Sequence, residues 1–362
     1  MSDVLGKIVE GFEQSFLMAY EVWWALVLGF AISGIVQAWV PRSRIEATLA
    51  GGGARPVAWA SGLGAASSSC SYAAIAIAKS LFRKGASAAS ALAFQFASTN
   101  LVWELGLVLW ILLGWQFTLA EYLGGVLMIL LMAVLLRAFV SPALEEAARR
   151  QAEEADAGHE HESETGWAAV AVNFRHDWQM LYKEIGIGFL LAGFIALLGD
   201  DFFNVLFVTD APGWVTTIEN VLVGPLIAVL SFVCSVGNIP LAAVLWSGGI
   251  SFAGVMAFIF ADLIVLPIVL VYRKYYGWKF TARIVALMLV TMIVAALAID
   301  ALFSLADLIP TTRPTREDVF GTVELDYKLA LNILATGVFA VLMWMAGRSG
   351  YRVECSAHAE GH

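Results

Sequence analysis

The residues best suited to chemistry are two cysteine–serine pairs and two acids, all set in apolar sequence. Cys70-Ser71 follows Ser67-Ser68-Ser69, and Cys234-Ser235 interrupts a second apolar run. Thiolates ligate soft, thiophilic species, although buried cysteines also serve as small packing residues. Ser69, Ser71 and Ser235 would line the same place or simply cap helices. Asp262 sits inside FIFADLIVLPIV. A carboxylate at that depth is costly and points to proton coupling or cation binding, with a structural ion pair as the competing reading. Lys79 is a candidate partner, or a side chain that snorkels outward. Glu104 lies four residues after Asn100, on the same helix face. Proton relay and structural hydrogen bonding both fit it. Gln95, Ser98 and Thr99 form another polar face, and Asn238 with Pro240 shapes the second interruption. Asn238 would bond substrate or cap backbone.

These residues belong to a repeat. CSYAAIAIAKSLFRKGASAASALAFQFA, Cys70 to Ala97, returns as CSVGNIPLAAVLWSGGISFAGVMAFIFA, Cys234 to Ala261, with 12 of 28 positions identical without a gap. Gly114-Trp115-Gln116-Phe117-Thr118 is echoed by Gly277-Trp278-Lys279-Phe280-Thr281. Gly29-Phe30 and Gly34 are echoed by Gly188-Phe189 and Gly193. The chain is therefore expected to hold two copies of one unit.

Composition sets the class. Sixty per cent of the 362 residues are hydrophobic and 14% are charged. Several runs approach the roughly 20 apolar residues that span a bilayer. This predicts an all-α polytopic membrane protein, not a β-barrel of short alternating strands. The lipid bilayer is the expected surrounding partner. The net charge of −9 without a basic patch gives no nucleic-acid footprint. There is no GxxxxGK[ST] motif for ATP and no nucleophile–base arrangement, so neither an ATPase nor another enzyme is expected. Three cysteines make no disulfide framework. The N-terminus does not read as a cleaved signal. His159 and His161, and Cys355, His358 and His362, lack the spacing of a structural zinc site. No metal site and no cofactor are expected, and oligomeric state is left open.

In chain order, 1–140 reads as a first membrane repeat. Spans are expected at Leu17–Val40, Ala86–Leu113 and Leu119–Val140, with a broken run over 56–82 and an interfacial helix before them. Residues 141–177 form a charged linker, partly helical or disordered. Residues 178–305 repeat the plan, with spans at Trp178–Leu198, Ser251–Tyr272 and Thr281–Leu305 and a broken run over 218–246. Residues 306–346 hold a polar loop and an extra span from Tyr327 to Ala346, and 347–362 a polar tail.

Charge decides how the broken runs lie. Positive residues mark the cytoplasmic side. Arg42, Arg44 and Arg55 precede the first broken run and Arg83-Lys84 follow it, so both flanks read as cytoplasmic. Asp200, Asp201, Asp210 and Glu219 precede the second, and Ser247-Gly248-Gly249 follow it, so both flanks read as external. Each run would then dip in and return. Each unit becomes three transmembrane helices plus a re-entrant hairpin, and the two units are inverted. The linker and C-terminus fall in the cytoplasm. The competing reading is a broken helix that crosses anyway, since about 27 residues at ~1.5 Å each could span.

Backbone groups in hydrocarbon must be hydrogen-bonded, so matched breaks at membrane depth imply a covered binding site near the midplane. A carrier and a channel would share that symmetry. CSYAAIAIAKSLFRKGAS, FASTNLVWELG, CSVGNIPLAAVLWSGGISF and FADLIVLPIVLVYRKYYG resemble the ArsP-like permease family of bacterial and archaeal membrane proteins, over roughly residues 17 to 305. The resemblance implies a plasma-membrane (inner-membrane) permease; characterised members export trivalent organoarsenicals. Many members carry Cys-Ser-Cys at the first break. Ser68 occupies the first of those positions here, so the adjacent dithiol is absent, leaving Cys70 and Cys234 as a pair across the halves. The expected function is secondary-active efflux of a small substrate between the Cys-Ser tips, with a channel for a small solute or ion as the alternative. A membrane component that hands a metal to a soluble partner through the His-containing linker is a third reading.

Single cysteines introduced in a cysteine-free background at Arg55, Arg83, Asp210 and Ser247 test the hairpins. The first two are expected to label only from the cytoplasmic face and the last two only from outside. A membrane-impermeant maleimide reads this out, and label from opposite faces within one pair would establish the crossing helix.

Overall fold

The computed structural model describes residues 2–39, 53–67, 71–83, 85–154, 166–197, 213–231, 235–313 and 327–348. Fourteen α-helices are described: α1 Ser2–Trp39, α2 Ala54–Ser67, α3 Ser71–Arg83, α4 Ala88–Asn100, α5 Trp103–Leu112, α6 Trp115–Phe139, α7 Pro142–Glu154, α8 Trp167–Ala196, α9 Gly213–Ser231, α10 Ser235–Ser247, α11 Phe252–Phe260, α12 Leu266–Tyr276, α13 Trp278–Leu305 and α14 Tyr327–Arg348. A 3-10 turn, Ala261–Ile264, joins α11 to α12.

Five stretches among the described residues are long and apolar enough to cross a bilayer: Ala88–Leu112, Trp115–Phe139, Gly213–Leu230, Trp278–Leu305 and Lys328–Arg348. The α11–α12 pair, bent by 42°, would make a sixth. The spans expected at Leu17–Val40 and Trp178–Leu198 fall largely within α1 and α8, which are not among the five. Their sequences carry Glu21, and Lys183 with Glu184. The two helices pack side by side along much of their length. Two expected spans are not single helices. Ala86–Leu113 is divided at Leu101–Val102, and Ser251–Tyr272 is divided at Asp262.

All 13 residues of α4 and all nine of α11 are buried. Each lies at the centre of its unit, flanked by the helices around the break. α2 and α3 both pack along α4; α9 and α10 both pack along α11. The approach is close because small residues allow it. A β-carbon on Gly64 would sit 2.4 Å from the Phe94 carbonyl oxygen, and one on Gly224 would sit 2.5 Å from that of Gly254. The opposite surfaces are apolar and uncovered, as a lipid-facing stripe must be. On α9, Ile218, Leu222, Leu226 and Leu230 recur every fourth residue and are all exposed.

The sequence repeat recurs as local geometry. Gly85 and Gly249 turn the chain at φ +101° and +107°, where a side chain would be strained. Ser87 and Ser251 then cap α4 and α11, each accepting a 3.1 Å bond from the amide three residues on. Arg149 and Arg313, themselves 164 residues apart, hold these turns. Arg149 donates to the carbonyls of Phe82 and Ala86 and lies over the Phe82 ring. Arg313 donates to those of Trp246 and Ile250, both at 2.8 Å, and lies over the Trp246 ring. The two units also trade aromatics: Phe82 stacks on Phe280, and Trp246 meets Phe117 edge-on.

The first part of the linker is helical and packed on the membrane helices. Helix α7 is docked against α3, α12 and α13, and its Glu145 accepts the Ala88 amide at the head of α4. Helix α8 starts at Trp167, earlier than the expected Trp178.

Gly64→Val is expected to destabilise the protein by about 1–3 kcal/mol, because the obstacle is backbone and cannot rotate away. Gly62, in the same helix, has open space around it. Gly62→Val should therefore melt like wild type in detergent. Equal melting temperatures for the two variants would contradict the close packing of α2 on α4.

Candidate functional site

The helices that follow the two breaks begin beside one another. Ser71 opens α3 and Ser235 opens α10. Their hydroxyl oxygens are 3.2 Å apart. Ser235 Oγ donates to Asp262 Oδ2 at 2.6 Å, so Ser71 reaches that carboxylate through Ser235. Asp262 is fully buried, and Ser71 and Ser235 are buried with it. Its second oxygen, Oδ1, has no hydrogen-bond partner among the described residues.

Local sequence explains why the carboxylate stands there. The continuous helix stops after Phe260, and Asp262 lies on the 3-10 turn before Pro267 opens the next helix. Pro is compatible with a first helical turn and not with an interior. The turn is enclosed by α9, α11, α12 and α13. The first described residues of two helices thus lie together beside one acid.

A second buried polar contact links the units. Gln95 on α4 donates to the Tyr272 hydroxyl on α12, with both side chains sealed from solvent. Gln95 Oε1 is left without a partner among the described residues. Tyr272 is within electrostatic range of Asp262.

The other expected residues divide. Ser98, Thr99 and Asn100 are buried, but their donors turn back onto their own helix. Ser98 and Thr99 bond the Gln95 carbonyl at 3.0 and 3.2 Å, and Asn100 bonds that of Phe96 at 3.0 Å. Asn238 is fully buried in the first turn of α10. Glu104 is buried in the first turn of α5, where a helix N-terminus favours an acid. Helix α1 closes over it: a β-carbon on Gly29 would lie 2.3 Å from Glu104 Cβ. Lys79 is two turns along α3 from Ser71 and lies 4.1 Å from the centre of the Tyr275 ring, so its recorded contact is with an aromatic face. Cys70, Ser69 and Cys234 lie outside the described residues, as do His159, His161, Cys355, His358 and His362.

Sequence reading passed over Glu121. It is fully buried on α6, and neither carboxylate oxygen has a hydrogen-bond partner among the described residues. The available signal was an acid inside an apolar run.

Among the described residues, no three His, Cys, Asp or Glu side chains converge on a possible metal position. A groove of about 430 Å³ lies between α1 and α14, lined by Phe16, Tyr20, Trp23, Asn332 and Thr336 among others. It is distant in the fold from Asp262, and its polar groups already join the two helices. Trp23 Nε1 donates to Thr336 at 3.0 Å, and Asn332 Nδ2 to the Tyr20 carbonyl at 2.9 Å. Outside the spans, burial holds the Arg313 guanidinium below its ordinary value, an expense offset by its two carbonyl bonds.

Comparison with known proteins adds a family to this geometry. The chain is 43% identical over 324 residues to "Putative permease Rv2963" of Mycobacterium tuberculosis (strain ATCC 25618 / H37Rv), covering 84% of this chain and 79% of the relative. No solved structure matches it. Residues 10–301 match the family described as Predicted permease, so the protein, a helical membrane protein with its broken helices gathered around Asp262, belongs to the ArsP_1 predicted permease family.

Proposed function

We propose that this protein is a secondary-active permease that exports a small substrate across the plasma membrane through a site between its two broken segments. The observation that carries this reading is the meeting of Ser71 and Ser235, the first residues of equivalent helices, at the buried carboxylate of Asp262. Family membership supports transport; the site supports where it happens.

The architecture we favour is a pair of inverted repeats, each with a re-entrant hairpin formed by α2–α3 or α9–α10. Its support is the packing depth. Asn220 of α9 accepts the Ser251 amide at the head of α11, Gly224 abuts Gly254 and Phe258, and the end of α9 reaches the 3-10 turn. α9 therefore runs beside α11 in the same direction and ends level with Asp262. A helix that crossed with α10 in one line would instead continue past the turn. α2 behaves alike, with Gly64 against Phe94 and Ala97 of α4. Helix α9 is long enough to cross alone, but its length is used partly before it meets Ser251. The positive flanks of the first hairpin support a linker and C-terminus in the cytoplasm.

In this reading Asp262 carries the coupling proton, and Ser71, Ser235, Asn238 and Gln95 line the substrate path. Cys70 and Cys234 each stand one residue before a site serine, so paired thiolates would bind a thiophilic substrate such as a trivalent organoarsenical. The enclosure of Asp262 suits a carrier with alternating access better than an open pore, which would keep its lining wet.

Asp262→Asn is expected to abolish substrate flux driven by a pH gradient in proteoliposomes while leaving substrate binding measurable. Wild-type flux in that variant would remove Asp262 from coupling. Cys70→Ser and Cys234→Ser, each expressed in a strain lacking its own arsenical exporters, should lower resistance to a trivalent organoarsenical. Full resistance in both would exclude thiol ligation, and a wider substrate panel in the same strain would then identify the cargo.

A further inference from the structure

Glu121 is the most deeply buried acid that the proposed mechanism leaves idle. It has zero exposure, and both its oxygens lack hydrogen-bond partners among the described residues. One turn farther along α6, a β-carbon on Gly124 would lie 2.2 Å from the Phe260 ring, and one on Gly125 would lie 3.3 Å from Asn100 Cβ. Phe260 immediately precedes the 3-10 turn, and Asn100 the break between α4 and α5. Glu121 therefore stands one turn from the level of both interruptions, on the side of the Gly114 turn.

Its charged surroundings are acidic. Its link toward Asp262 runs through Phe260, two residues before that acid, whose ring meets Gly124 one turn along α6. Tyr122 is within range of both Glu121 and Glu104, and bonds the Val102 carbonyl at 3.3 Å. Helices α4 and α11 carry no ionisable side chain where they pack on α6. Helix α13 carries Lys279 and Arg283 at its far end, with Arg283 on the Phe139 carbonyl, and a further acid, Asp300. Two nearby acids in an apolar interior cannot both be charged at acceptable cost. A structural glutamic acid would donate its proton to a neighbour, and Glu121 has no such bond. The arrangement calls for a mobile neutralising ion.

We propose that Glu121 is a second proton-carrying carboxylate, paired with Asp262 and placed between it and the Gly114 end of the bundle. The proposal deepens the permease reading and rests on Asp262 as the coupling residue. The proton binds a Glu121 oxygen when Asp262 is charged. Transfer to Asp262 leaves Glu121 charged, and Glu121 loads the next proton only as Asp262 releases its own, so one net negative charge is kept in the pair.

The test is made on the full chain in nanodiscs, without substrate. Proton release after a jump from about pH 5 to pH 9 is followed with an indicator dye, alongside infrared difference spectra of the carboxylic C=O stretch. At pH 5 Glu121→Gln should show one carboxylic C=O band fewer than wild type, and the remaining band should titrate in a single step. Glu121→Asp should restore the second band, which separates loss of the proton from misfolding. An unchanged carboxylic C=O spectrum at pH 5 in Glu121→Gln overturns the proposal. So does displacement of the Glu121 proton when choline is replaced by sodium, which would make this a cation site. Asp262→Asn should keep the Glu121 band. If that variant still shows normal pH-driven flux, the permease coupling assigned to Asp262 fails while the Glu121 titration stands; the reverse outcome rejects only Glu121.

Discussion

Every part of this fold is arranged around one requirement: helices interrupted inside an apolar medium must still satisfy their backbone groups. A helix that starts at membrane depth brings four unpaired amides with it. Helices α3 and α10 start at equivalent points of the two repeats, and their first residues touch. The amide-rich ends are thereby gathered into one region instead of two. Asp262 supplies an acceptor there, at the third interruption, where the 3-10 turn separates α11 from α12. Sharing a single polar interior among three chain breaks keeps the remaining surface apolar. That is why α4 and α11, which separate the breaks from the outer helices, are buried on every side.

Such an interior holds its geometry only if the far ends of the broken helices are fixed. The two arginine contacts do this. Each guanidinium spans two turn carbonyls and covers an aromatic ring, combining hydrogen bonding with a cation–π contact. Arg149 reaches its turn from α7, in the linker, so the start of that linker is part of the architecture as well as a connection. The exchange of Phe82 and Trp246 onto the opposite units, against Phe280 and Phe117, ties each turn to the other repeat. The polar centre and the clamped ends thus belong to the same pair of helices, α3 and α10.

The repeat, the helical membrane class and the apolar setting of Asp262 were legible in the sequence, because each leaves a linear trace: identity at fixed offset, long apolar runs, and an acid within one of them. Other features were hidden. Nothing at Leu101-Val102 breaks a helix by its own chemistry; no Gly or Pro stands there. The interruption becomes visible only as Asn100 and Thr99 bonding back to their own turn and α5 restarting with Glu104. Helix α7 looked like a solvated charged segment, since its docking rests on Glu145 and Arg149 meeting groups more than 50 residues away. Lys79 had no visible aromatic partner, as Tyr275 is far off in sequence. Glu121 was passed over because distance along a helix says nothing of which neighbours cover it.

The repeats are alike where they support and unlike where they are polar. The turn glycines, capping serines, clamping arginines and opening serines all recur in both halves. The interior acids do not. Asp262 corresponds to Ser98, and Glu121, by the offset that relates Gly114-Trp115 to Gly277-Trp278, corresponds to Ile284. Gln95 corresponds to Ile259. Duplicating the acids would have put four carboxylates around one apolar centre, where even two are hard to charge together. A two-fold frame with a one-sided polar interior avoids that repulsion. The frame provides two equivalent broken helices that can meet, and the asymmetry leaves one carboxylate at their junction with hydroxyls from both halves.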